Sequence, residues 1–525
     1  MNTLPEQTKI YRQRWMTLTV VSLSVLIIVI DSTIVNVALP TLQRELNATG
    51  TQLQWIVNAY IMVFGALMLT TGTLGDRLGR KYILQAGILL FGAASIGASF
   101  AITGTHLIIW RIIMGIGGAM ILPATLAIIT NVFPREERGR AIGTWAGLNA
   151  IGIALGPIIG GLLVENYNWN IIFLINIPIS LLALLGGIIY IPNSRDLNPR
   201  RIDVPGTMLS IIGLGGIVFG LIQGSNWGWT DAGVITALAG GTIFITAFLL
   251  WENHTDHPML AINFFRKALF STGIGAVSLM AFAQTGITFG LTLYMQFVNG
   301  YSALETGVRF IPLALGLFIG AGSSDRIVKA LGLRNVLIIG FVASAAFLTL
   351  TAFWDVQTAY WIIGLATFGI GFSLGYIAAP ATNAIMGALP DAQSGVGSAM
   401  ASVCRMVAGS IGVAVMGSIL GTVYASSFTN AAASVAGLSP QIIKSASDSV
   451  GTAIIISQQL PSDIAQTVAS IARTSFMDGW KIMALASCAI SVVAAVMIFR
   501  FMPARAGSVK ETTEPENTDM QREHR

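Results

Sequence analysis

The sequence contains few charged residues and few cysteines. Of its 525 residues, 10% are Asp, Glu, Lys or Arg and 54% are hydrophobic, whereas a soluble domain carries about a quarter charged residues. A chain with so little charge cannot cover a surface that faces water all round, which excludes an ordinary soluble protein. The two cysteines, Cys404 and Cys488, both lie within apolar runs. We therefore predict that they are packed residues and not a disulfide or a metal-binding pair.

Patterns typical of catalysis and nucleotide binding are also missing. The four histidines lie at the edges of apolar runs, in loops or in the tail: His106, His254, His257 and His524. No glycine-rich phosphate loop ends in Lys-Ser/Thr, and no nucleophile–base pair or metal-ligand spacing occurs. We predict that the chain is not an enzyme, uses no ATP and binds no metal or cofactor. The net charge of +5 is better explained by lysines and arginines in membrane loops than by a nucleic-acid partner.

Long apolar runs are the dominant feature of the chain. A helix needs about 20 such residues to cross about 30 Å of hydrocarbon. Fourteen candidate spans occur, at roughly 17–38, 55–74, 82–102, 107–131, 141–164, 171–192, 206–224, 232–251, 271–297, 304–322, 335–354, 359–385, 398–424 and 480–502. The sequence thus predicts an all-α polytopic membrane protein with 14 transmembrane helices.

The lysines and arginines are concentrated in alternate connections between these spans. Since cytoplasmic loops are enriched in Lys and Arg, this asymmetry predicts that both termini are cytoplasmic. The long connection 425–478 is then outside, either as a pair of short helices or as a mobile loop. The tail, 503–525, is polar, and we predict that it is disordered.

Two halves of the chain repeat each other at an offset of about 250 residues. The segment PATLAI (123–128) matches PATNAI (380–385), and GTLGDRLGRK (72–81) has a looser equivalent in GSSDRIVKALGLR (322–334). We predict a short N-terminal segment (1–14), two six-helix bundles (15–192 and 252–502) and, between them, a linker with an extra helix pair (193–251). One large class of secondary transporters is built from such parallel repeats, with the substrate site between them.

Asp31 is the only carboxylate deep within any predicted span. Ionisable residues in the hydrocarbon zone are costly and are usually functional. Span one runs outward, so Asp31 lies roughly 20 Å from its inner end at about 1.5 Å per residue. Arg111, about one turn inside the outer edge of span four, lies at a similar depth. Arg111 either extends to the interface or pairs with Asp31, and we favour the pair as a proton-coupling site.

Two loops of the repeat carry charges beside glycines. Such a loop either sets the orientation in the membrane or forms a latch, meaning an ion pair between adjacent helix ends that breaks when the halves move. The repeat favours a latch. The predicted gating residues are Gly72, Asp76, Arg77, Gly79, Arg80 and Lys81, with Asp325 and Arg326 in the second half.

Spans five and thirteen each contain a further unusual feature. Span five has small residues at four-residue spacing, which permit close packing or a hinge; they are Gly152, Gly156, Pro157, Gly160 and Gly161. Span thirteen contains Arg405, a predicted buried cation. This side chain could cap carbonyls, meet Asp391 or line an inner vestibule, and the sequence does not separate these alternatives.

Together these motifs resemble the major facilitator superfamily and, within it, the 14-span drug:proton antiporters of the QacA and EmrB type. GTLGDRLGRK is similar to the signature loop, WRIIMGIGGAMILP (110–123) to the span-four arginine motif and GIALGPIIGG (152–161) to the antiporter motif. IDSTIVNVALP (30–40), QWIVNAY (54–60), FLINIPI (173–179) and RMVAGSIGVAV (405–415) also fit the subfamily. The chain departs from some relatives in having no carboxylate in spans ten and thirteen, which leaves Asp31 alone.

The resemblance implies a proton-driven exporter of lipophilic, mainly cationic compounds in the bacterial cytoplasmic membrane, working as a monomer in the bilayer. Asp31 and Arg111 would couple protons to small-molecule substrates. Aromatic side chains would line the substrate pocket: Trp55, Tyr60, Phe289, Tyr294 and Tyr376. An exporter of a physiological metabolite, such as an amino acid, siderophore or lipid, is an alternative on the same fold. A sensor that no longer transports is a third hypothesis, which the intact motifs disfavour.

Overall fold

The computed structural model describes residues 4–195, 202–255, 258, 260, 262–389, 394–435 and 437–503, and regular structure in these residues is helical. The predicted disordered tail, apart from residue 503, and Asp391 lie outside the described residues. The helices are α1 (Leu4–Glu45), α2 (Gly50–Leu78), α3 (Arg80–Ser99), α4 (Gly104–Val132), α5 (Arg135–Asn166), α6 (Ile171–Leu174), α7 (Asn176–Tyr190), α8 (Val204–Trp227), α9 (Ala232–His254), α10 (Ala268–Leu293), α11 (Ala303–Arg309), α12 (Ile311–Leu331), α13 (Leu333–Thr351), α14 (Tyr360–Gly387), α15 (Ser394–Ala432), α16 (Pro440–Ala446), α17 (Val450–Ser457) and α18 (Ser462–Phe501). A 3₁₀ segment covers Ile262–Arg266, and a π-helical turn covers Tyr294–Val298.

The helices account for the predicted spans. Within the described residues, 13 helical segments are long and apolar enough to cross a bilayer, and α5 adds the shorter apolar segment Ile151–Asn166. Helices α6 and α7 form one span, as do α11 and α12. The break before α7 has a local cause, because Pro178 has no N–H to donate to the carbonyl of Leu174. The protein is therefore a multi-pass helical membrane protein.

Several helices extend well beyond the predicted spans. Helix α1 has 42 residues, α15 has 39 and α18 has 40. The predicted outer connection 425–478 is consequently shorter than expected, since α15 continues to Ala432 and α18 begins at Ser462. Between them lie two short helices, α16 and α17, which corresponds to the first of the two alternatives for this connection.

We call the end of the molecule that carries α16 and α17 the loop face, and the opposite end, where α1 begins and α18 ends, the terminal face. Helices α1–α7 form the N-terminal half, and α10–α18 form the C-terminal half. The halves meet along two seams, one between α2 and α15 and the other between α5 and α11. The extra pair, α8 and α9, packs together, and α8 lies against both α2 and α15.

The two halves are joined near the loop face. Within the described part of the chain, every hydrogen bond between the halves lies in the part of the molecule nearer that face. They are Gln43 to Ser449 and Thr452, Gly50 to Asp448, Gln296 to Val37, Ser410 to Asn58, and Ser302 and Leu304 to Glu165. Toward the terminal face, a Cβ atom added to Gly143 or Gly147 on α5 would meet no other atom within 4 Å. The halves are thus closed together at the loop face and separated along α5 toward the terminal face.

Candidate functional site

The carboxylate of Asp31 lies in the middle of α1 and is fully buried. Its Oδ2 accepts a hydrogen bond from Nη1 of Arg111 on α4 at 2.5 Å. Its Oδ1 accepts one from Nδ2 of Asn176, at the start of α7, at 3.2 Å. The structure thus brings the two predicted coupling residues into direct contact and adds a third residue from a different helix.

Arg111 is held on its other side by α2. Its Nε donates to the backbone carbonyl of Ile56 at 3.0 Å, and the guanidinium carbon lies 4.2 Å from the ring centre of Tyr60. A cation over an aromatic face is favourable, and more so when water is excluded. Only 1% of Arg111 is exposed, so it does not extend to the interface, and its charge is compensated within the protein.

A charge pair of this kind is stable only while it is complete. The cost of removing two charges from water is offset by their mutual attraction and by further hydrogen bonds to each of them. Here α1, α2, α4 and α7 supply all of those partners, so the pair is enclosed within the N-terminal half. Asp31 therefore belongs to a set of contacts that joins these four helices, and it does not face the space between the halves.

The polar partners of this site were missed from the sequence. Asn176 also donates from Nδ2 to Oγ of Ser95 on α3, at 3.2 Å. Both side chains are buried and neutral. Asn176 lies within the FLINIPI segment, and a buried amide in such an apolar run was the available signal, because buried polar groups require partners.

The predicted gating loop ties helix ends together within the N-terminal half. Asp76 pairs with Arg80 at 2.9 Å, and Arg80 also donates to the carbonyl of Ala127 on α4 at 3.3 Å. Lys81 donates to the carbonyl of Ile188 on α7 at 2.8 Å. Gly79 has φ +114°, a conformation that side chains rarely adopt, and it permits the sharp turn from α2 to α3.

The other predicted gating residues make looser contacts. Gly72 lies against Pro123 on α4, and Arg77 is exposed. In the second half, Asp325 pairs with Lys329 at 2.9 Å, with both side chains largely exposed, and Arg326 is also exposed. Exposed pairs of this kind contribute about 0–1 kcal/mol. The second loop therefore does not reproduce the contacts that the first loop makes with α4 and α7.

The small residues of α5 serve two neighbours. Gly152, Gly156 and Gly160 face α1, where a Cβ atom on any of them would collide with Leu26, Thr33 or Ile34 respectively. Gly161 faces the backbone of Ala303 and Leu304 on α11, and Pro157 lies against Gly307 of the same helix. Helix α5 is therefore packed tightly both within its own half and across the seam.

Arg405 lies deep among protein atoms, as expected of a buried cation, but its side chain is accessible to solvent. Its neighbour Met406 contacts Gly65 on α2, and Gly409, one turn further along, contacts Thr285 on α10. No described residue forms an ion pair with Arg405. An unpaired charge is costly to bury, and this side chain instead faces open space beside the seam between α2 and α15.

The five aromatic candidates do not share one wall in this conformation. Half-buried Trp55 packs against Phe219 of the extra pair, and Tyr60 covers Arg111. Tyr294 stacks with Trp354 and Trp480 inside the C-terminal half. The two remaining candidates are also separated: Phe289 lines a cavity at the loop face, and Tyr376 packs on Phe372.

Two helical halves with a repeated sequence, joined at one face and containing an ion pair at bilayer depth, define a secondary membrane transporter. The chain belongs to the Major Facilitator Superfamily, whose family model matches residues 21–413. This confirms the family predicted from the motifs.

Relatives of similar length come from several bacteria. The chain is 30% identical to the tetracenomycin C resistance and export protein of Streptomyces glaucescens, over 92% of this chain and 90% of that one. It is 31% identical to the methyl viologen resistance protein SmvA of Salmonella typhimurium, over 89% and 93% of the two chains. It is also 31% identical to the multidrug efflux pump LfrA of Mycolicibacterium smegmatis, over 94% and 97%.

A solved structure shares the fold. It is a bacterial homolog of the human lysosomal transporter Spinster, determined in an inward-facing and unoccupied conformation. The TM-score is 0.66 at 15% identity, and the match covers 94% of this chain and 99% of that one. At this identity the likeness concerns the fold alone.

Proposed function

We propose that this protein exports lipophilic, mainly cationic small molecules across the bacterial cytoplasmic membrane in exchange for protons. The names of its relatives, which refer to drug resistance, methyl viologen resistance and drug export, support the substrate class. The observation that carries the proton-coupling part is the buried Asp31–Arg111 pair. Among the residues that the structure describes, no other carboxylate lies deep in a predicted span, so none is available to replace Asp31.

Protonation of Asp31 would change how α1 is held. Arg111 keeps its hydrogen bond to Ile56 and its contact with Tyr60 whether or not Asp31 is charged, and both of those groups belong to α2. A neutral Asp31 no longer attracts the Arg111 guanidinium on α4 as an opposite charge and keeps only a hydrogen bond to it, so the link between α1 and α4 weakens. Proton uptake thus loosens α1 from α4 while α4 and α2 stay together.

A looser α1 would move α5 with it, since the two helices pack through glycines. Helix α5 in turn contacts α11, so a proton bound inside the N-terminal half alters the seam with the C-terminal half. In this proposal the Asp76–Arg80 loop stabilises one arrangement of the terminal face. Arg405 lines the vestibule on the substrate side, where its positive charge disfavours prolonged occupancy by a cation.

We further propose that the terminal face is cytoplasmic, that the loop face is outside and that a single chain is the working unit. The lysine and arginine asymmetry supports this orientation. Substrate then enters between the halves from the terminal face, where α5 is open, and leaves at the loop face when the contacts there separate.

Everted membrane vesicles with an imposed pH gradient, acid inside, provide the test. We expect uptake of a monovalent cationic dye that stops when the gradient is collapsed with nigericin, and no such uptake with Asp31→Asn. Because Asp76→Asn removes the same charge at a loop, it serves as a matched variant with reduced but measurable uptake. Gradient-driven uptake by Asp31→Asn at the parental rate would refute Asp31 as the coupling group.

A further inference from the structure

A cavity of ≈ 230 Å³ lies at the loop face. Its walls come from α1, α2, α8, α10, α15 and α18 together with the segment between α16 and α17. Both halves, the extra pair and the loop-face connection therefore contribute to it. A water needs about 10–15 Å³ of such space, so this cavity has room for a small organic molecule.

Two hydrogen-bond acceptors are held in place in the wall of this cavity. Oδ2 of Asp448 accepts from the backbone N–H of Gly50 at 2.9 Å and from the hydroxyl of Thr452 at 3.4 Å, which fixes the carboxylate at the first residue of α2. Gln54 is only 5% exposed, and its Oε1 has no hydrogen-bond partner among the described residues. A buried acceptor without a partner is costly, and a ligand that donates a hydrogen bond would satisfy it.

A glycine on the neighbouring helix leaves space for the Gln54 amide. The side chain of Gln54 lies flat against Gly417 on α15, where a Cβ atom would approach its Cδ to 2.6 Å. Any larger residue at position 417 would displace the amide from the cavity wall. Gln54 is thus held in place by packing, as a ligand-binding group requires.

The remaining walls are aromatic, and the other charge is at the rim. Phe289, Tyr424 and Phe476 are each at most 3% exposed and line the same cavity, and aromatic faces attract organic cations. Lys444 also lines the cavity but is exposed, and it forms no ion pair within the described residues. Its ammonium group can turn to water, whereas the Asp448 carboxylate is held.

We propose that this loop-face cavity is a binding site for compact lipophilic amines in their protonated form, with Asp448 and Gln54 accepting hydrogen bonds from the ammonium N–H. A quaternary ammonium ion has the same charge but no N–H, so the site favours protonated amines over it. The inference relies on the proposed function only for the origin of the ligand, an amine leaving at the loop face.

The test uses the full chain in lipid nanodiscs with the variant Ser225→Cys, since Ser225 lines the cavity. Alkylation by a water-soluble maleimide is measured by mass spectrometry. This method distinguishes position 225 from the native cysteines, so these need not be replaced. The probes are N-methylbenzylamine, which carries two N–H groups when protonated at pH 7, and benzyltrimethylammonium. We expect the amine to slow alkylation at a concentration about tenfold lower than the quaternary ion, given the strength of hydrogen bonds to charged groups.

Two variants and one control locate the effect. Asp448→Asn keeps an acceptor for Gly50 but removes the charge, and Gln54→Met keeps the size but removes the acceptor. Each should raise the protecting concentration of the amine about tenfold. Asp463→Asn removes an exposed acid at the start of α18, outside the cavity, and should leave it unchanged. Equal protection by the two probes, or no change in Asp448→Asn and Gln54→Met, would overturn the proposal.

This outcome is separable from that of the proposed function. Amine protection at position 225 without gradient-driven efflux would refute the exporter and leave the cavity site standing. Efflux of dye without amine protection would refute the cavity site alone.

Discussion

Replacement of Asp31 by asparagine leaves Arg111 as a buried cation with no carboxylate beside it. Removing one partner of a buried ion pair costs about 3–5 kcal/mol, because the remaining charge has lost its solvation. Arg111 keeps the carbonyl of Ile56 and the ring of Tyr60, so we expect the lower end of that range. Arg111→Gln leaves the Asp31 carboxylate with Asn176 as its described partner and should cost a similar amount.

The double variant Asp31→Asn/Arg111→Gln removes both charges and leaves neutral amides that can bond to each other. We therefore expect it to be more stable than either single variant. Contacting residues show interaction energies of about 0.5–3 kcal/mol, and a pair at 2.5 Å belongs at the upper end. The expected order of stability is the parent, then the double variant, then the two single variants.

Stability and transport separate the two roles of the pair. Thermal midpoints of the four proteins in nanodiscs give the order of stability, and dye uptake in everted vesicles gives coupling. The double variant should recover stability without recovering gradient-driven uptake, since asparagine cannot exchange a proton. Strictly additive losses of stability would show that the pair is not coupled, and recovered uptake would refute the role of Asp31.

Four further predictions address other parts of the molecule. Gly156→Val should reduce folded yield on size-exclusion chromatography because its Cβ collides with α1, whereas Gly147→Val, in open space, should be tolerated; equal yields would contradict this packing. Asp76→Asn should lower dye uptake at normal expression, and unchanged turnover would restrict the loop to setting orientation. Ser434→Cys, exposed at the loop face, should react with an impermeant maleimide in intact cells; reaction only after lysis would reverse the topology. The hydrogen bond from Arg14 on α1 holds the pKa of Glu137 below its ordinary value, so the stability that this pair contributes is present above the unfolded pKa and is lost as pH falls through the folded pKa. The difference in melting temperature between the parent and Glu137→Gln should therefore vanish in acid. A difference that does not depend on pH would exclude this pair as its cause.

The number and order of the spans could be predicted from the sequence because bilayer thickness fixes the length of an apolar run. The ends of the helices could not. Polar helical turns outside the hydrocarbon have no apolar run, so the start of α18 at Ser462 and the end of α15 at Ala432 were placed in a loop. Helices α16 and α17 could be given only as one of two alternatives, because helices this short leave a weak periodic pattern.

The Asp31–Arg111 contact was predictable because two rare charges at one depth have few other partners. Its neutral partners were not, since Asn176 and Ser95 resemble any polar residues in helices. Arg405 was predicted to be a buried cation because it lies within span thirteen, and the sequence alone could not show that its side chain is accessible to solvent. The separation of the halves toward the terminal face, a property of tertiary structure, provides open space beside α15 instead.

A continuous series of close contacts connects Asp31 with the other half of the molecule. From α1 it passes to α5 through Gly156, and from α5 to α11 through Gly161 and Gly307, where backbone meets backbone. A side chain could absorb a small displacement by changing its rotamer, but a glycine has none to change. In the proposed mechanism, movement of α1 on protonation of Asp31 would be transmitted to the seam, because coupling of this kind is carried by rigid packed elements. A coupling acid at position 31 could therefore lie outside the space between the halves and still control their contact.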